Sequence, residues 1–306
     1  MANIRQLDKR RKSIRNIRKI TRTMELIATA RFKKAMDRAQ AATAYTARLT
    51  ELVAELARSG TAVSHPLLDA RPESRHAAVL ILTANRGLCG GYNSAVLRQV
   101  VPTQRELLKT YPEVTAEVSG KRGVNTLKTR RVSVARAFTQ FNDQPRYDEV
   151  LPIADRFLAA YQAGELDRLD VIYTKFISAA RQVAVVETLL PFSAATVPPT
   201  ANPAKAVPSK AGMGDVGGAG IEYEFLPSAG SILEEIVPEA FRIRLFQCFL
   251  DAAVSEQIAR MVAMKSATEN AGEMIKSLSR TYNRARQARI TGEIMEVIGG
   301  VEALSK

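Results

Sequence analysis

IRQLDKRRKSIRNIRKITRTMELIATARFKKAMDRAQAATAYTARLTELVAEL, residues 4–56, holds neither proline nor glycine, and its reading decides the fold. Leu7, Ile14, Thr21, Ala28, Ala35, Ala42, Leu49 and Leu56 recur every seven positions, with Ile17, Met24, Tyr45 and Leu52 three places further on. That is the heptad seam of a single long helix, thinned at its centre by small residues and broken in its second row by Arg31 and Arg38. At 1.5 Å per residue such a helix is roughly 80 Å long, so it needs an equally long partner.

The other end of the chain supplies one. Glu239 to about Ala303 is again free of proline, and Met261, Met264, Ala271, Ile275, Leu278, Tyr282 and Ala285 keep a three/four spacing. A second register follows through Ile290, Ile294, Val297, Val301 and Leu304. The seam resets near Arg286–Arg289, where the helix either leaves its partner or meets a new one. Two terminal helices of this kind predict an antiparallel coiled coil.

Between them lie nearly all the helix breakers: the 13 prolines fall between Pro66 and Pro238, and no glycine precedes Gly60. Ala77–Ala84 and Leu169–Ile177 read as buried strands, with Glu113–Ser119, Arg131–Phe138 and Gln182–Leu189 as further strands. Helical patterns lie at about Ser94–Lys109 and Tyr147–Ala163. This alternation predicts a central, mostly parallel α/β domain covered on both faces. The resulting division is a helix over 1–60, an α/β domain over 75–192, a flexible insertion over 193–220 and a C-terminal helix over 231–306. The insertion is rich in Pro, Gly and Ala and has too little apolar surface to fold alone.

Composition narrows the chemistry. The 306 residues are 46% hydrophobic and 25% charged, as in a globular chain, with no apolar run of membrane-spanning length. Cys89 and Cys248 form no CxxC pair, and His65 and His76 are the only histidines, so a disulfide framework and a Cys/His metal site are not expected. Residues 1–40 carry 13 Lys/Arg against three acids and so hold +10 of the net +13. A block of that sign seeks nucleic acid, an anionic membrane surface or an acidic protein. Few aromatics accompany it, no nucleic-acid motif appears, and its apolar seam implies burial against protein.

The other candidate for chemistry is Asn85-Arg86-Gly87-Leu88-Cys89-Gly90-Gly91-Tyr92-Asn93, between the first strand and a helix. Its G-x-x-G-G spacing is not GxGxxG and no lysine completes a phosphate loop. Ser119-Gly120-Lys121-Arg122-Gly123 fails the same test. Glycines in such a turn serve backbone geometry and close packing, which weighs against a dinucleotide enzyme. No histidine stands near Cys89 in sequence to activate its thiol. No catalytic constellation, cofactor site or metal site is expected.

Several segments together resemble one family. Ile20-Thr21-Arg22-Thr23-Met24-Glu25-Leu26-Ile27-Ala28 resembles the N-terminal helix signature of the gamma subunit of F-type ATP synthases. The Asn85–Asn93 turn is similar to the turn after that family's first strand. Ser255-Glu256-Gln257-Ile258-Ala259-Arg260-Met261-Val262-Ala263-Met264-Lys265 and Tyr282-Asn283-Arg284-Ala285-Arg286-Gln287-Ala288-Arg289-Ile290-Thr291 resemble its C-terminal signatures. The resemblance covers nearly the whole chain outside 193–220.

It implies a non-catalytic rotor shaft inside a ring of alpha and beta subunits, standing with the epsilon subunit on the membrane rotor ring. Such a shaft couples proton flow to ATP synthesis or hydrolysis at the beta subunits and binds no nucleic acid. It also implies that Arg10, Arg11 and Arg22 meet acidic loops of the ring, that Met24 faces a beta subunit, and that Arg260, Arg286, Gln287, Thr291 and Glu293 contact the ring. The apolar tip, Val297 to Leu304, would turn in a greasy bearing, and Glu222-Tyr223-Glu224 would lie at the membrane-ring foot. A start at Met1 directly before the helix points to a bacterium, with the protein peripheral on the cytoplasmic face of the inner membrane. The dithiol that photosynthetic relatives carry near the insertion has no counterpart here.

Overall fold

The computed structural model describes residues 4–58, 67, 75–141, 144–192 and 229–304; side chains at 43–58, 229–233 and 302–304 fall outside the description. The 193–220 insertion and the Glu222–Glu224 segment also lie outside the described residues. The element order is α1 (Ile4–Arg58), β1 (His76–Leu82), α2 (Tyr92–Leu107), β2 (Glu113–Ser119), α3 (Lys121–Thr129), β3 (Arg136–Phe138), α4 (Tyr147–Ala163), β4 (Arg168–Ser178), β5 (Arg181–Leu190) and α5 (Ala229–Leu304). By packing, these form two compact units. One holds α1 to Arg31, Leu88–Gly90 and α5 from Gln257; the other holds the rest of both helices and the sheet. The long helices are thus shared between units, because sequence boundaries follow composition and packing need not.

The sheet has the order β3-β2-β1-β4-β5, parallel throughout except for β5, which returns antiparallel to β4. β1 is buried on both faces, and the two-residue period of a strand sorts its side chains. Ala77, Val79 and Ile81 join Val96, Leu97, Val100 and Leu107 of α2 and Leu127 of α3. Ala78, Leu80 and Leu82 join Phe157 and Tyr161 of α4 and Phe241, Leu245 and Phe249 of α5.

Three expectations need adjustment. The strand expected over Arg131–Phe138 shortens to Arg136–Phe138, because α3 intervenes and closes on Arg131 at φ 59°. Residues 121–123, read from sequence only as a failed phosphate loop, open that helix, whose inward face is Gly123 and Leu127. The C-terminal helix, expected over 231–306 with its proline-free stretch beginning at Glu239, starts at Ala229 and runs through Pro238. A mid-helix proline forfeits one hydrogen bond and costs about 3 kcal/mol. Burial of Val237, Ala240, Phe241 and Leu245 around it outweighs that cost, at about 1.5–3 kcal/mol for each large side chain.

Charges are also buried where α5 meets the sheet. Glu187 of β5 accepts hydrogen bonds from Arg244 Nε at 2.9 Å and from the Tyr173 hydroxyl at 2.7 Å, and Lys175 Nζ stands 3.9 Å away. Asp251, one turn beyond Gln247, accepts from that side-chain amide at 3.2 Å. Burial pushes the Asp251 carboxyl up to about 7, against the opposing pull of Arg244 and Lys175. Burial likewise pushes up the thiol of Cys248, which makes it unreactive.

In the other unit α1 and α5 run antiparallel. Thr21 meets Thr268, Arg18 lies 3.8 Å from where a Cβ on Gly272 would stand, and Arg11 stacks 4.4 Å over the ring of Tyr282. As the α1 number falls, the α5 number rises. Thr21 and Ala28, the small residues of the heptad row, are its buried members here, so they set a close approach. Ile17, expected in the seam, is exposed, and Arg18 turns toward α5 at that level. The register places Ile4, where the description of α1 begins, near the Arg286–Arg289 reset. The reset therefore marks the end of the pairing.

Candidate protein-docking surface

Past the reset every described residue from Arg286 to Val301 is exposed. Ile290, Ile294, Met295, Val297, Ile298 and Val301 present apolar side chains at 47–67% exposure. An isolated helix displaying such a stripe loses free energy to water, so this stretch is built to be enclosed. Arg286, Gln287, Thr291 and Glu293 stand on it in the open, with Glu293 accepting from Arg289 Nε at 2.7 Å. Gly292, Gly299 and Gly300 have open space where a Cβ would point.

The paired part divides the expected contact residues. Arg10 and Arg22 are exposed, Arg22 beside Glu25 at 2.8 Å, and Met24 is half-buried. Arg11 is committed within the chain: it bonds Asp8 at 2.6 Å and covers Tyr282. Arg11 and the neighbouring Lys12 hold the Asp8 carboxyl below its usual range. Arg260 is 6% exposed, packed inside this chain and not on the ring-facing surface that the resemblance implied. Residues not expected at the surface join it: Ile20, Leu26, Ile27 and Val262 are exposed at 47–59%. Their signal was available, because Ile20, Leu26 and Ile27 are aliphatic yet off both seam rows.

The glycine turn resolves as a structural joint. Leu88 and Gly90 take positive φ (66° and 54°), and Gly90 lies against α5, where a Cβ would stand 3.7 Å from that of Ala263. Asn85 Oδ1 accepts the Lys121 N–H at 3.0 Å while its amide donates to the Phe141 carbonyl. Asn93 Oδ1 accepts the Ala84 N–H at 2.9 Å.

At the ends of β1 and β2, a doubly wound sheet offers a crevice for phosphates. Here Thr83 fills it, donating to the Ser119 carbonyl at 2.7 Å and accepting the Gly123 N–H at 3.0 Å. Gly120, at φ 103°, has no room for a Cβ, which would fall 2.1 Å from the Thr83 carbonyl oxygen. A small hollow there is lined by apolar Leu82, Tyr92, Phe141 and Phe249 together with polar Thr83, Asn85, Ser119 and Glu256. Among the described residues no cluster of His, Cys, Asp and Glu is arranged to hold a metal.

A family model described as ATP synthase matches residues 3–304. The ATP synthase gamma chain of Rhodopirellula baltica is 60% identical over 304 residues, 99% of each chain. The chain belongs to the ATP synthase gamma-chain family. The gamma chain of Leptospira biflexa is 37% identical over 305 residues, spanning both chains fully. In fold, the chain is similar to one in the cryo-EM structure of the Euglena gracilis mitochondrial ATP synthase OSCP/F1/c-ring assembly. That match has a TM-score of 0.63 at 19% identity, over 98% of this chain and 94% of that one. A chain of the rotor of the same enzyme matches with a TM-score of 0.59 at 18% identity, over 94% and 98%. For a gamma chain, the surfaces that stand open here are the unpaired end of α5 and the outer faces of the helix pair.

Proposed function

We propose that this chain is the central rotor shaft of an F-type ATP synthase and performs no catalysis itself. The carrying observation is the exposed, aliphatic α5 end on a chain 60% identical to a gamma chain over its full length. A ring of alpha and beta subunits encloses that end, and the epsilon subunit and membrane rotor ring hold the foot. One asymmetric rod among three equivalent sites touches each differently, so rotation biases their open–closed equilibria and couples proton flow to ATP synthesis or hydrolysis.

Arg10, Arg22 and Met24 on the pair, and Arg286, Gln287, Thr291 and Glu293 beyond it, are the ring-facing set. Glu222, Tyr223 and Glu224 are kept as foot residues by resemblance alone. No described helix is long and apolar enough to cross a membrane, which supports a peripheral position. We place it on the cytoplasmic face of a bacterial inner membrane.

The test is reconstitution with alpha and beta subunits. The wild-type chain should give a complex with rotation-coupled ATPase activity. Changing Gln287, Thr291 and Glu293 together to alanine should slow turnover while leaving the complex assembled, since each contact is worth about 0.5–3 kcal/mol. Wild-type turnover in the triple variant would remove these three residues from the reading, and failure of the wild-type chain to assemble would overturn the rotor itself.

A further inference from the structure

The seam around the Thr21–Thr268 contact offers little resistance to sliding. Ala28 on α1 and Met264 and Ala271 on α5 are buried there, and small or flexible apolar groups pack comparably after a shift of one turn. Within it two hydroxyls meet. Thr21 Oγ1 and Thr268 Oγ1 are 2.8 Å apart, with Thr21 buried. Each also lies within reach of a carbonyl on its own helix: Arg18 O for Thr21 at 3.1 Å, Met264 O for Thr268 at 2.8 Å.

Two hydroxyls carry two protons for these three bonds. Either Thr268 donates across to Thr21, which donates to Arg18 O, or Thr21 donates across to Thr268, which donates to Met264 O. In both arrangements every proton is used and the bond between the helices is kept, so the bridge survives a swap of donor and acceptor.

We propose that the Thr21–Thr268 hydroxyl bridge keys the register of the α1–α5 pair, so that twist passes from one helix to the other without sliding. A slip of one turn, about 5.4 Å, brings Met264 or Ala271 opposite Thr21 and loses the bridge. A polar pair in an apolar seam is a known way to specify register, at some cost in stability. The Arg11–Tyr282 stack, about three turns further along α1 and about four along α5, supports the same alignment from the side.

The proposal rests on the rotor reading for its mechanical meaning, but register is measurable without rotation. Nitroxide labels at the exposed positions Arg15 and Arg280, in the full chain assembled with its ring, report the distance between helices. Wild type should give one narrow distance. T21V/T268V, which keeps side-chain shape, should add a second population shifted by several ångströms, and its ATP-driven proton pumping per ATP should fall at least twofold. T21S/T268S, which restores the hydroxyls, should return both to wild type. If the double variant does not assemble, T268V alone gives the same readout. An unchanged single distance in the valine variant, or no rescue by serine, overturns the key and leaves the rotor reading intact.

Discussion

β1 and the distal part of α5 are both rich in aliphatic side chains, and they meet opposite fates. Six of the seven residues of β1 are buried, whereas Arg286–Val301 are all exposed. The strand is covered by helices of its own chain, and the end of α5 has outrun its only described partner. Aliphatic content therefore does not report burial here. The sheet is covered by its own chain, and the α5 end is an aliphatic surface that the described residues leave open.

The sharpest challenge to that contrast is truncation on each side of it. Phe241→Ala, in the core that covers β1, should destabilise the chain by about 3–5 kcal/mol, read from the denaturant midpoint. A loss under 1 kcal/mol would mean that this core is not what holds the fold.

Next in size is the buried carboxyl. In the folded chain Asp251 keeps a proton up to about pH 7 that the unfolded chain releases near pH 4. Its contribution is therefore full below about pH 4 and is lost as pH rises toward 7. Asp251→Asn should flatten that decline, so the variant gains on wild type between pH 4.5 and 8 by at most about 4 kcal/mol. Urea unfolding at several pH values checks the sign; a variant that instead loses ground with rising pH would show Asp251 to be stabilised as the anion by Arg244 and Lys175.

Arg11→Ala removes the cation from the Tyr282 ring and the bond to Asp8, and should cost about 0.5–2 kcal/mol with the helix pair loosened. Hydrogen exchange on α1 before Arg18 should quicken. A variant with unchanged exchange there would return Arg11 to the ring-facing set.

Smallest of all, Val297→Ala should change the stability of the free chain by less than about 0.5 kcal/mol, because no described residue covers it. The same change should weaken assembly with the alpha and beta subunits. A large loss in the free chain would erase the distinction between core and distal helix.

Much of this was legible beforehand, for identifiable reasons. β2 and α4 fall at the expected residues because uninterrupted patterns end at strong stops, Ser119 before Gly120 and Ala163 before Gly164. α3 was missed because it is only nine residues long, follows Gly120 and carries Gly123 in its first turn, a composition that reads as a loop. Pro238 shows in the sequence only its lost hydrogen bond, while the aromatic core that compensates it appears only in the fold. The candidate surface was half legible: the distal aliphatic stripe and its polar neighbours could be named, but their exposure depends on where α1 begins. For Arg11 and Arg260 the sequence shows the charge but not its direction, and in the structure both side chains turn onto their own chain.

Thr83 has one more consequence, in the language of linkage. A protein that binds a ligand only when folded gains stability with every rise in ligand concentration. With the Thr83 hydroxyl already bonded to the Ser119 carbonyl and the Gly123 N–H, this chain is expected to stand outside that coupling. Millimolar ATP or NAD should leave its melting temperature where it was. The melting temperature would then follow the chain's own packing and not the concentration of free nucleotide.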